Sequence, residues 1–139
     1  MENVTEYVLG FLFTPDREQV VLIKKSKPNW QKGLLNGVGG KIERNETPIH
    51  AMTREFKEET GAFEFGWIEF ATLQGNDWKV YCFKAFSNEV ANVETVTDEE
   101  ILTPYVSQLK KLNTISNLHW LIPMCLDNND EFNVNAVYS

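Results

Sequence analysis

The chain has 139 residues, of which 42% are hydrophobic and 24% are charged, and its formal net charge is −7. This length is typical of one domain whose core is stable without disulfides, so we expect a single domain over residues 1–139. The negative charge disfavours binding to duplex nucleic acid, whose phosphates an acidic surface repels.

Targeting and membrane segments are not predicted. The first six residues have no basic region, which a secretory signal requires. No stretch approaches the ~20 apolar residues of a membrane helix. Cys82 and Cys125 lie in apolar sequence, which favours two reduced and buried thiols. We therefore expect a cytoplasmic protein with no membrane partner.

The first half of the chain is predicted to form strands and then one helix. Residues 7–13 and 19–25 are rich in β-forming residues, and the segment between them has turn chemistry, which predicts a hairpin. Residues 27–33 form a polar loop that contains Trp30. Residues 34–43 are short, extended and dense in glycine, and residues 47–60 are predicted to form a helix.

The second half is predicted to form further strands and a last helix. Its predicted elements are strands at 63–73 and 78–87, an acidic loop or edge segment at 88–100, a short strand and short helix within 100–112, a helix at 117–126 that Pro123 should kink or end, and a strand in the tail at 131–138. The order predicts an α/β (α+β) fold in which a mixed β-sheet is sandwiched between helices.

The helix at 47–60 has clear boundary signals. Thr47 is a good N-cap, Pro48 suits the first helical position, and Gly61 suits the position after the end. At about 100° per residue, one stripe should face the core and a neighbouring face should carry three acids. The expected core stripe is Ile49, Met52 and Phe56, and the acids are Glu55, Glu58 and Glu59.

The acidic face can be a solvated surface or part of a metal site. Arg54 can pair with Glu58 across one turn and offset some of the repulsion between the acids. Mg²⁺ prefers oxygen ligands and is commonly held by few carboxylates together with substrate phosphates. Gly39 and Gly40 precede the helix, and their lack of a side chain lets the backbone approach a metal or a phosphate closely.

Residues 40–62 resemble the motif of the Nudix hydrolases, whose pattern is G-x5-E-x7-R-E-U-x-E-E-x-G-U with U aliphatic. Every fixed glycine and polar position is present at the required spacing. The matching residues are Gly40, Glu46, Arg54, Glu55, Glu58, Glu59 and Gly61. The two aliphatic positions depart from the pattern, since they hold Phe56 and Ala62, but both residues are apolar.

The resemblance implies the Nudix fold and a role for each matching residue. Glu58 and Glu59 would be metal ligands, and Glu55 would be a further ligand or the base that deprotonates water. Gly39 would offer its carbonyl to the metal, Arg54 would orient carboxylates, and Glu46 would stabilise the junction of loop and helix. A further acid is expected from Glu94, Asp98, Glu99 and Glu100, among which the sequence does not choose. The implied cofactor is Mg²⁺, for which Mn²⁺ can substitute, and relatives occur as monomers or homodimers.

The substrate-binding residues are less clearly marked. Residues 34–41 are similar to a segment of the MutT-type enzymes, which hydrolyse oxidised purine triphosphates, and Asn36 matches the asparagine that meets the base. An asparagine before glycine is also common in turns. Trp30 can stack on a base or cap the core, and we favour the cap. Lys41 can meet a phosphate or extend into solvent.

The segment that begins the last helix offers two more candidates. It is similar to an aromatic segment near the base pocket of the MutT-type enzymes, but their paired aspartates are absent here. Asn117 and His119 could contact a base; we favour a capping asparagine and a structural histidine.

Three functions follow from these residues. The first is a (deoxy)nucleoside triphosphate pyrophosphohydrolase, possible substrates including oxidised purine nucleotides, that releases a monophosphate and pyrophosphate. The second is hydrolysis of ADP-ribose, a dinucleoside polyphosphate, NADH or capped RNA. The third is an inactive nucleotide-binding regulatory module, which the retention of all three motif acids of the helix disfavours.

Overall fold

The computed structural model describes residues 3–129 and 131–139. The described strands are β1 (Thr5–Phe13), β2 (Leu22–Lys24), β3 (Leu35–Asn36), β4 (Val38–Lys41), β5 (Ile68–Gln74), β6 (Trp78–Phe86), β7 (Ile101–Leu102) and β8 (Val134–Val137). The α-helices are α1 (Pro48–Thr60) and α2 (Leu118–Cys125), and short 3₁₀ helices lie at Asn29–Gln31, Asn88–Asn92 and Val106–Lys111. Within the described residues, no helix combines the length and the apolar character needed to cross a membrane.

The strands form two sheets. The larger sheet has the order β4-β1-β6-β5-β8, and the smaller one has the order β3-β2-β7. β1 runs parallel to β6 from Thr5 opposite Trp78 to Phe13 opposite Phe86, and it runs antiparallel to β4 on its other edge. The larger sheet is therefore mixed, as predicted.

The predicted hairpin of residues 7–13 and 19–25 is wrong in its pairing. The chain does reverse after β1, but the two segments share only an isolated bridge between Phe13 and Val20. Because β4 and β6 occupy both edges of β1, β2 has no free edge there and joins β3 and β7 instead. Local turn chemistry predicted the reversal but not the partner.

Alternate residues of β1 face two different cores. Val8 and Leu12 pack with Met52 and Phe56 of α1, whereas Leu9 and other odd-numbered residues pack with α2. This alternation is what a strand buried on both faces requires. The helices α1 and α2 thus cover opposite faces of the larger sheet, which confirms the predicted fold class.

The predicted boundaries of α1 are confirmed, but one of its predicted core residues is not. The Thr47 hydroxyl accepts a hydrogen bond from the His50 N–H, and Gly61 has φ 77° after the last turn. Met52 and Phe56 are fully buried, whereas Ile49 is 43% exposed. Ile49 belongs to the first turn of the helix, and Ala51 is buried in its place.

The second half departs from prediction mainly at residues 63–67. These residues precede β5 and are not a strand, because the Glu64 carboxylate accepts a hydrogen bond from the Gly66 N–H and bends the chain locally. Pro123 lies inside α2, which ends two residues later. The predicted tail strand is present as β8, which runs parallel to β5.

Candidate functional site

The acidic face of α1 lies against the glycine strand β4. A side-chain Cβ on Gly40 would lie only 2.4 Å from the Glu55 carboxyl group, and one on Gly39 would lie 2.0 Å from the Val8 carbonyl oxygen. The absence of both side chains is therefore a condition for this close packing of strand, sheet and helix. The Gly40 backbone therefore lies next to the half-buried Glu55, and Gly39, the predicted carbonyl ligand, directly precedes it.

Arg54 connects the loop before α1 to the acids on the helix. Its Nε donates to Glu46 Oε2 at 2.6 Å, and its Nη2 donates to Glu46 Oε1 at 2.9 Å. Its Nη1 lies 3.0 Å from Glu55 and 3.1 Å from Glu58, and its Nη2 also donates to the Lys41 carbonyl. The predicted pairing of Arg54 with Glu58 is therefore present within a wider network.

Glu46 lies at the junction of loop and helix. Besides Arg54, its carboxylate accepts a hydrogen bond from the Glu43 N–H at 2.9 Å. The hydrogen bonds from Arg54 lower the pKa of Glu46, and the same pairing raises the pKa of Arg54. Both partners are thereby held in their charged forms. The contacts of Glu46 stabilise the junction without a metal.

Glu55 and Glu59 carry charge in unfavourable surroundings. Burial raises the pKa of Glu55, and the negative charges of Glu58 and Glu59 raise it further, against the opposing effect of Arg54. Burial also raises the pKa of Glu59, and the nearby charge of Glu99 adds to this effect. A bound cation would stabilise the ionised forms of both groups.

Glu99 is the acid of segment 94–100 that the structure places near this cluster. It is 5% exposed, whereas the other candidates, Glu94, Asp98 and Glu100, are exposed. Burial alone would raise its pKa, but hydrogen bonds from Ser26 and the charge of Lys25 outweigh burial and lower it. Thr97 donates to Glu59 at 3.4 Å and accepts a hydrogen bond from the Glu99 N–H, so it links the two acids.

The donor set fits a hard divalent cation that the substrate helps to bind. Among residues 3–129 and 131–139, no three His, Cys, Asp or Glu side chains are gathered closely enough to hold a metal by themselves. Mg²⁺ is usually bound through one or two carboxylates together with water and substrate phosphates, so a closed cage is not required. The half-buried and mutually repelling carboxylates are oxygen donors of the kind that such an ion prefers.

The candidate base-binding residues lie around β3. The Asn36 Oδ1 accepts a hydrogen bond from the Gly37 N–H at 2.8 Å, and its Nδ2 donates to Gln31 at 3.3 Å. The first contact is a turn-type contact, and the second ties Asn36 to the 3₁₀ helix that carries Trp30. Trp30 is 69% exposed, so the prediction that it caps the core is wrong.

Asn117 begins α2 without acting as a side-chain cap. Its Oδ1 is buried and has no hydrogen-bond partner among the described residues, which contradicts the capping interpretation. The Ile115 N–H donates to the Leu35 carbonyl, and this bond brings the start of α2 beside the strand that carries Asn36. His119 and Lys41 are exposed.

Sequence reasoning missed Lys25, Ser26 and Thr97. They lie within hydrogen-bonding distance of Glu99 or Glu59, but Lys25 and Glu99 are 74 positions apart in the chain. No local pattern could indicate this proximity, because the pairing of β2 with β7 creates it. The sequence contains the pair Lys24–Lys25, but nothing in it indicates which of the two lysines contacts an acid.

Concave pockets on the surface lie away from the acids of α1. One is lined by residues 63–66 and 87–89, and the other lies between the turn after β1 and residues 88–93. The carboxylates of α1 line neither pocket, and they range from the mostly buried Glu55 to the exposed Glu58. The site is therefore identified by its charged groups and glycines and not by the shape of a cavity.

The chain is similar in sequence and in fold to known proteins. A family model for the NUDIX domain matches residues 5–119. Similar solved structures include MutT from a study of Aliivibrio salmonicida and Vibrio cholerae, with a TM-score of 0.75, 17% identity, and coverage of 89% of this chain and 98% of that one. A mutator MutT protein from Bacillus halodurans has a TM-score of 0.71 and 17% identity over 98% of this chain and 91% of its own. The NUDIX domain of Shewanella oneidensis NrtR, solved with ADP ribose, has a TM-score of 0.71 and 18% identity over 89% of this chain and 87% of its own.

Proposed function

The chain belongs to the Nudix family, and on that premise we propose that it is a divalent-cation-dependent hydrolase that cleaves the pyrophosphate bond of a nucleoside diphosphate linked to another group. The observation that carries the proposal is the packing of Glu55 onto the glycine strand, with Arg54 joining it to Glu46 and Glu58. This arrangement concentrates carboxylates around a backbone that can approach a phosphate closely.

The proposed cation is Mg²⁺, with Mn²⁺ as a substitute, held by Glu55, Glu58, Glu59 and the Gly39 carbonyl. When bound, such an ion supplies charge neutralisation for the diphosphate and a more acidic water. Burial already raises the pKa of Glu55 and Glu59, which places either group closer to the range useful for accepting a proton. We therefore keep both as candidates for the base, and we add Glu99 as a further acid of the site.

The remaining residues of the site orient the reacting groups. Arg54 holds Glu55 and Glu58 at 3.0 and 3.1 Å, which limits their motion and offsets their repulsion. Gly40 has no side chain that would keep a phosphate away from the backbone of β4. The next residue, Lys41, is exposed, and its ammonium group can contact a phosphate. These groups position a polyphosphate chain without sensing its base.

The proposed substrate is a (deoxy)nucleoside triphosphate, cleaved to a monophosphate and pyrophosphate. Two groups support recognition of a base: the exposed Trp30 ring and the Asn36 amide. The Asn117 Oδ1 is buried and has no partner among the described residues, so it would accept a hydrogen bond from a base only if the start of α2 moved. The reaction is proposed for the cytoplasm, with which the two buried free cysteines are consistent.

A second substrate class remains in the proposal because of one relative. The Shewanella oneidensis NrtR domain was solved with ADP ribose, so ADP-ribose is a reasonable candidate here. Dinucleoside polyphosphates, NADH and capped RNA contain the same pyrophosphate linkage. A module that only binds nucleotides would not need Glu55, Glu58 and Glu59 in their present arrangement.

The test is chromatographic detection of the nucleotide products formed with Mg²⁺ from a panel of ordinary and oxidised (d)NTPs, ADP-ribose, dinucleoside polyphosphates, NADH and capped RNA. Triphosphates would yield a monophosphate and pyrophosphate, whereas ADP-ribose and NADH would each yield two monophosphates and no pyrophosphate. We expect triphosphate turnover by the wild type, and a loss of most of it in Glu59→Gln with an unchanged circular-dichroism spectrum. Glu18→Gln, in the exposed turn after β1 and outside the motif, is the matched control. Turnover that Glu59→Gln leaves unchanged would contradict the assignment of the cation site, and no turnover at all would favour the binding module.

A further inference from the structure

Glu99 is held by contacts that come from another part of the chain. Its carboxylate accepts hydrogen bonds from the Ser26 N–H and hydroxyl, and it forms an ion pair with Lys25 Nζ at 3.3 Å. The Glu99 side chain is 6% exposed. A carboxylate this deeply buried is stable only when such partners compensate for its lost hydration.

Lys25 is itself held firmly. It directly follows β2, its N–H donates to the Leu34 carbonyl, and its own carbonyl accepts from the Gly33 N–H. Its side chain is 22% exposed. These backbone bonds fix the start of the side chain, and the ion pair with Glu99 places the ammonium beside that carboxylate.

Glu59 and Glu99 would separate without such a cation. Glu59 is anchored by α1, but Glu99 belongs to the segment between the 3₁₀ helix at Asn88–Asn92 and β7, which is not a regular element. Thr97 links the two acids, since it donates to Glu59 at 3.4 Å and accepts a hydrogen bond from the Glu99 N–H. Like charges repel, so Glu99, which no regular element anchors, is the member of the pair that would move away.

We propose that Lys25 is a positioning residue, which together with Ser26 holds the Glu99 carboxylate beside Glu59 so that Glu99 contributes to the divalent-cation site. This inference rests on the proposed function, since it assumes that a cation binds at Glu59. Lys25 acts through Glu99 and needs no contact with the substrate.

The proposal predicts that removing the Lys25 charge weakens cation binding, whereas simple electrostatics predicts that it strengthens it. Removing a positive charge beside two carboxylates would by itself strengthen cation binding, because one repulsive interaction is lost. If Lys25 positions Glu99, the same removal weakens cation binding, because a ligand group is no longer held. The sign of the change therefore separates the two effects.

The experiment measures Mn²⁺ binding to the full chain by electron paramagnetic resonance, without substrate. We expect Lys25→Met to weaken Mn²⁺ affinity by about 10-fold or more, since the loss of a residue that orients a metal ligand typically costs about 10–100-fold. Lys25→Arg, which keeps the charge, should retain most of the affinity. Lys24→Met is the matched control, since the neighbouring Lys24 side chain is exposed, and it should leave the affinity unchanged.

A double-mutant cycle tests whether Lys25 acts through Glu99. In the Glu99→Gln background, Lys25→Met should cause no further loss of Mn²⁺ affinity, because the group that Lys25 positions has lost its charge. Ser26→Ala should cause a smaller loss in the same direction, and it provides the test if Lys25→Met fails to fold.

Two results would overturn the positioning role. In the first, Lys25→Met leaves the Mn²⁺ affinity unchanged or raises it. In the second, Lys25→Met causes the same loss of Mn²⁺ affinity in the Glu99→Gln background as in the wild type. The proposed function fails on a different readout. If the wild type hydrolyses no nucleotide while Lys25→Met still weakens Mn²⁺ binding through Glu99, the positioning role stands and the enzymatic proposal does not.

Discussion

At the scale of single residues, Arg54 is the centre of the polar network. Its guanidinium contacts Glu46, Glu55 and Glu58, and it also binds the Lys41 carbonyl. A planar group with five N–H donors can satisfy several carboxylates in a fixed geometry, which lysine cannot do. Arg54 therefore couples the stability of the loop before α1 to the orientation of the acids.

Glu46→Gln tests this coupling through pH. Because Arg54 lowers the pKa of Glu46 below its ordinary value of 4.5, the folded protein binds this proton more weakly than the unfolded chain. The resulting stability is present above pH 4.5 and is lost as the pH falls through the lowered pKa. We expect Glu46→Gln to reduce the free energy of unfolding by about 1–2 kcal/mol at pH 7, in urea denaturation, and by little at the lowest pH.

Glu43→Gln is the control for that comparison. Glu43 lies 3.7 Å from Arg54 Nε, but its side chain is 69% exposed. An exposed pair of this kind contributes little to stability. A pH-independent destabilisation by Glu46→Gln, or an equal effect of Glu43→Gln, would show that the charge of Glu46 is not what stabilises the junction.

Asn36→Ala tests the proposed recognition of the base. The Asn36 Oδ1 accepts a hydrogen bond from the Gly37 N–H within the turn, and its Nδ2 donates to Gln31 in the 3₁₀ helix that contains Trp30. If it reads a base, the variant should change the ratio of kcat/KM between purine and pyrimidine triphosphates by about 10-fold, as one lost hydrogen bond implies. Asn29→Ala, an exposed asparagine nearby, should not change the ratio. A uniform loss over all substrates would mean that Asn36 only shapes the turn.

At the scale of elements, the site depends on how closely α1 approaches β4. The absence of a side chain at Gly40 leaves room for the Glu55 carboxyl group, and its absence at Gly39 leaves room for the backbone of β1. Met52 and Phe56 anchor α1 in the core. The acids on the neighbouring face are thereby carried to the glycine strand. Packing of the apolar stripe and placement of the acids are two consequences of one docking geometry.

Gly40→Ala should therefore impair the site more than the fold. The new methyl group would meet the Glu55 carboxyl group at 2.4 Å and displace it. We expect hydrolysis to fall by at least about 10-fold, and the free energy of unfolding to fall by about 1 kcal/mol, because the clash is with the end of a flexible side chain that can shift. In a Glu55→Ala background the loss of stability should become smaller, because the clashing group is absent. An equal loss in both backgrounds would show that Gly40 is required for another reason.

At the scale of the whole molecule, the core and the site are separate. The apolar clusters beneath α1 and α2 form the core, whereas the acids of α1 lie on the face of the helix next to the one that packs on the core. Folding is thus driven by groups that do not take part in the proposed reaction. The acids can repel one another without loss of the fold, because the hydrophobic stabilisation arises elsewhere.

Chelation tests this separation. We expect EDTA to abolish hydrolysis and Mg²⁺ to restore it, while the far-UV circular-dichroism spectrum stays the same. The melting temperature should rise on adding Mg²⁺, because a ligand that binds only the folded state stabilises it. Hydrolysis that persists in EDTA would contradict the cation requirement, and loss of helix on chelation would show that core and site are coupled.

The sequence alone determined the features that depend on local chemistry. The cap at Thr47, the turn at Gly61, the spacing of the acids and the family motif all lie within residues 40–62, so their signals are neighbours in the chain. The mixed sheet, with helices on both faces, also followed from the order of the elements, and the family match and the similar structures confirm it.

Only the tertiary structure decided which distant segments meet. It paired β1 with β4 and β6 and not with the next strand, and it exposed Ile49 and Trp30. Of the acids at 94–100, it buried Glu99 and linked it through Thr97 to Glu59. The ion pair of Lys25 with Glu99 spans 74 positions and depends on the pairing of β2 with β7. The physical reason is that local patterns specify which face of an element is apolar, whereas its partner is decided by competition among all available sheet edges and faces.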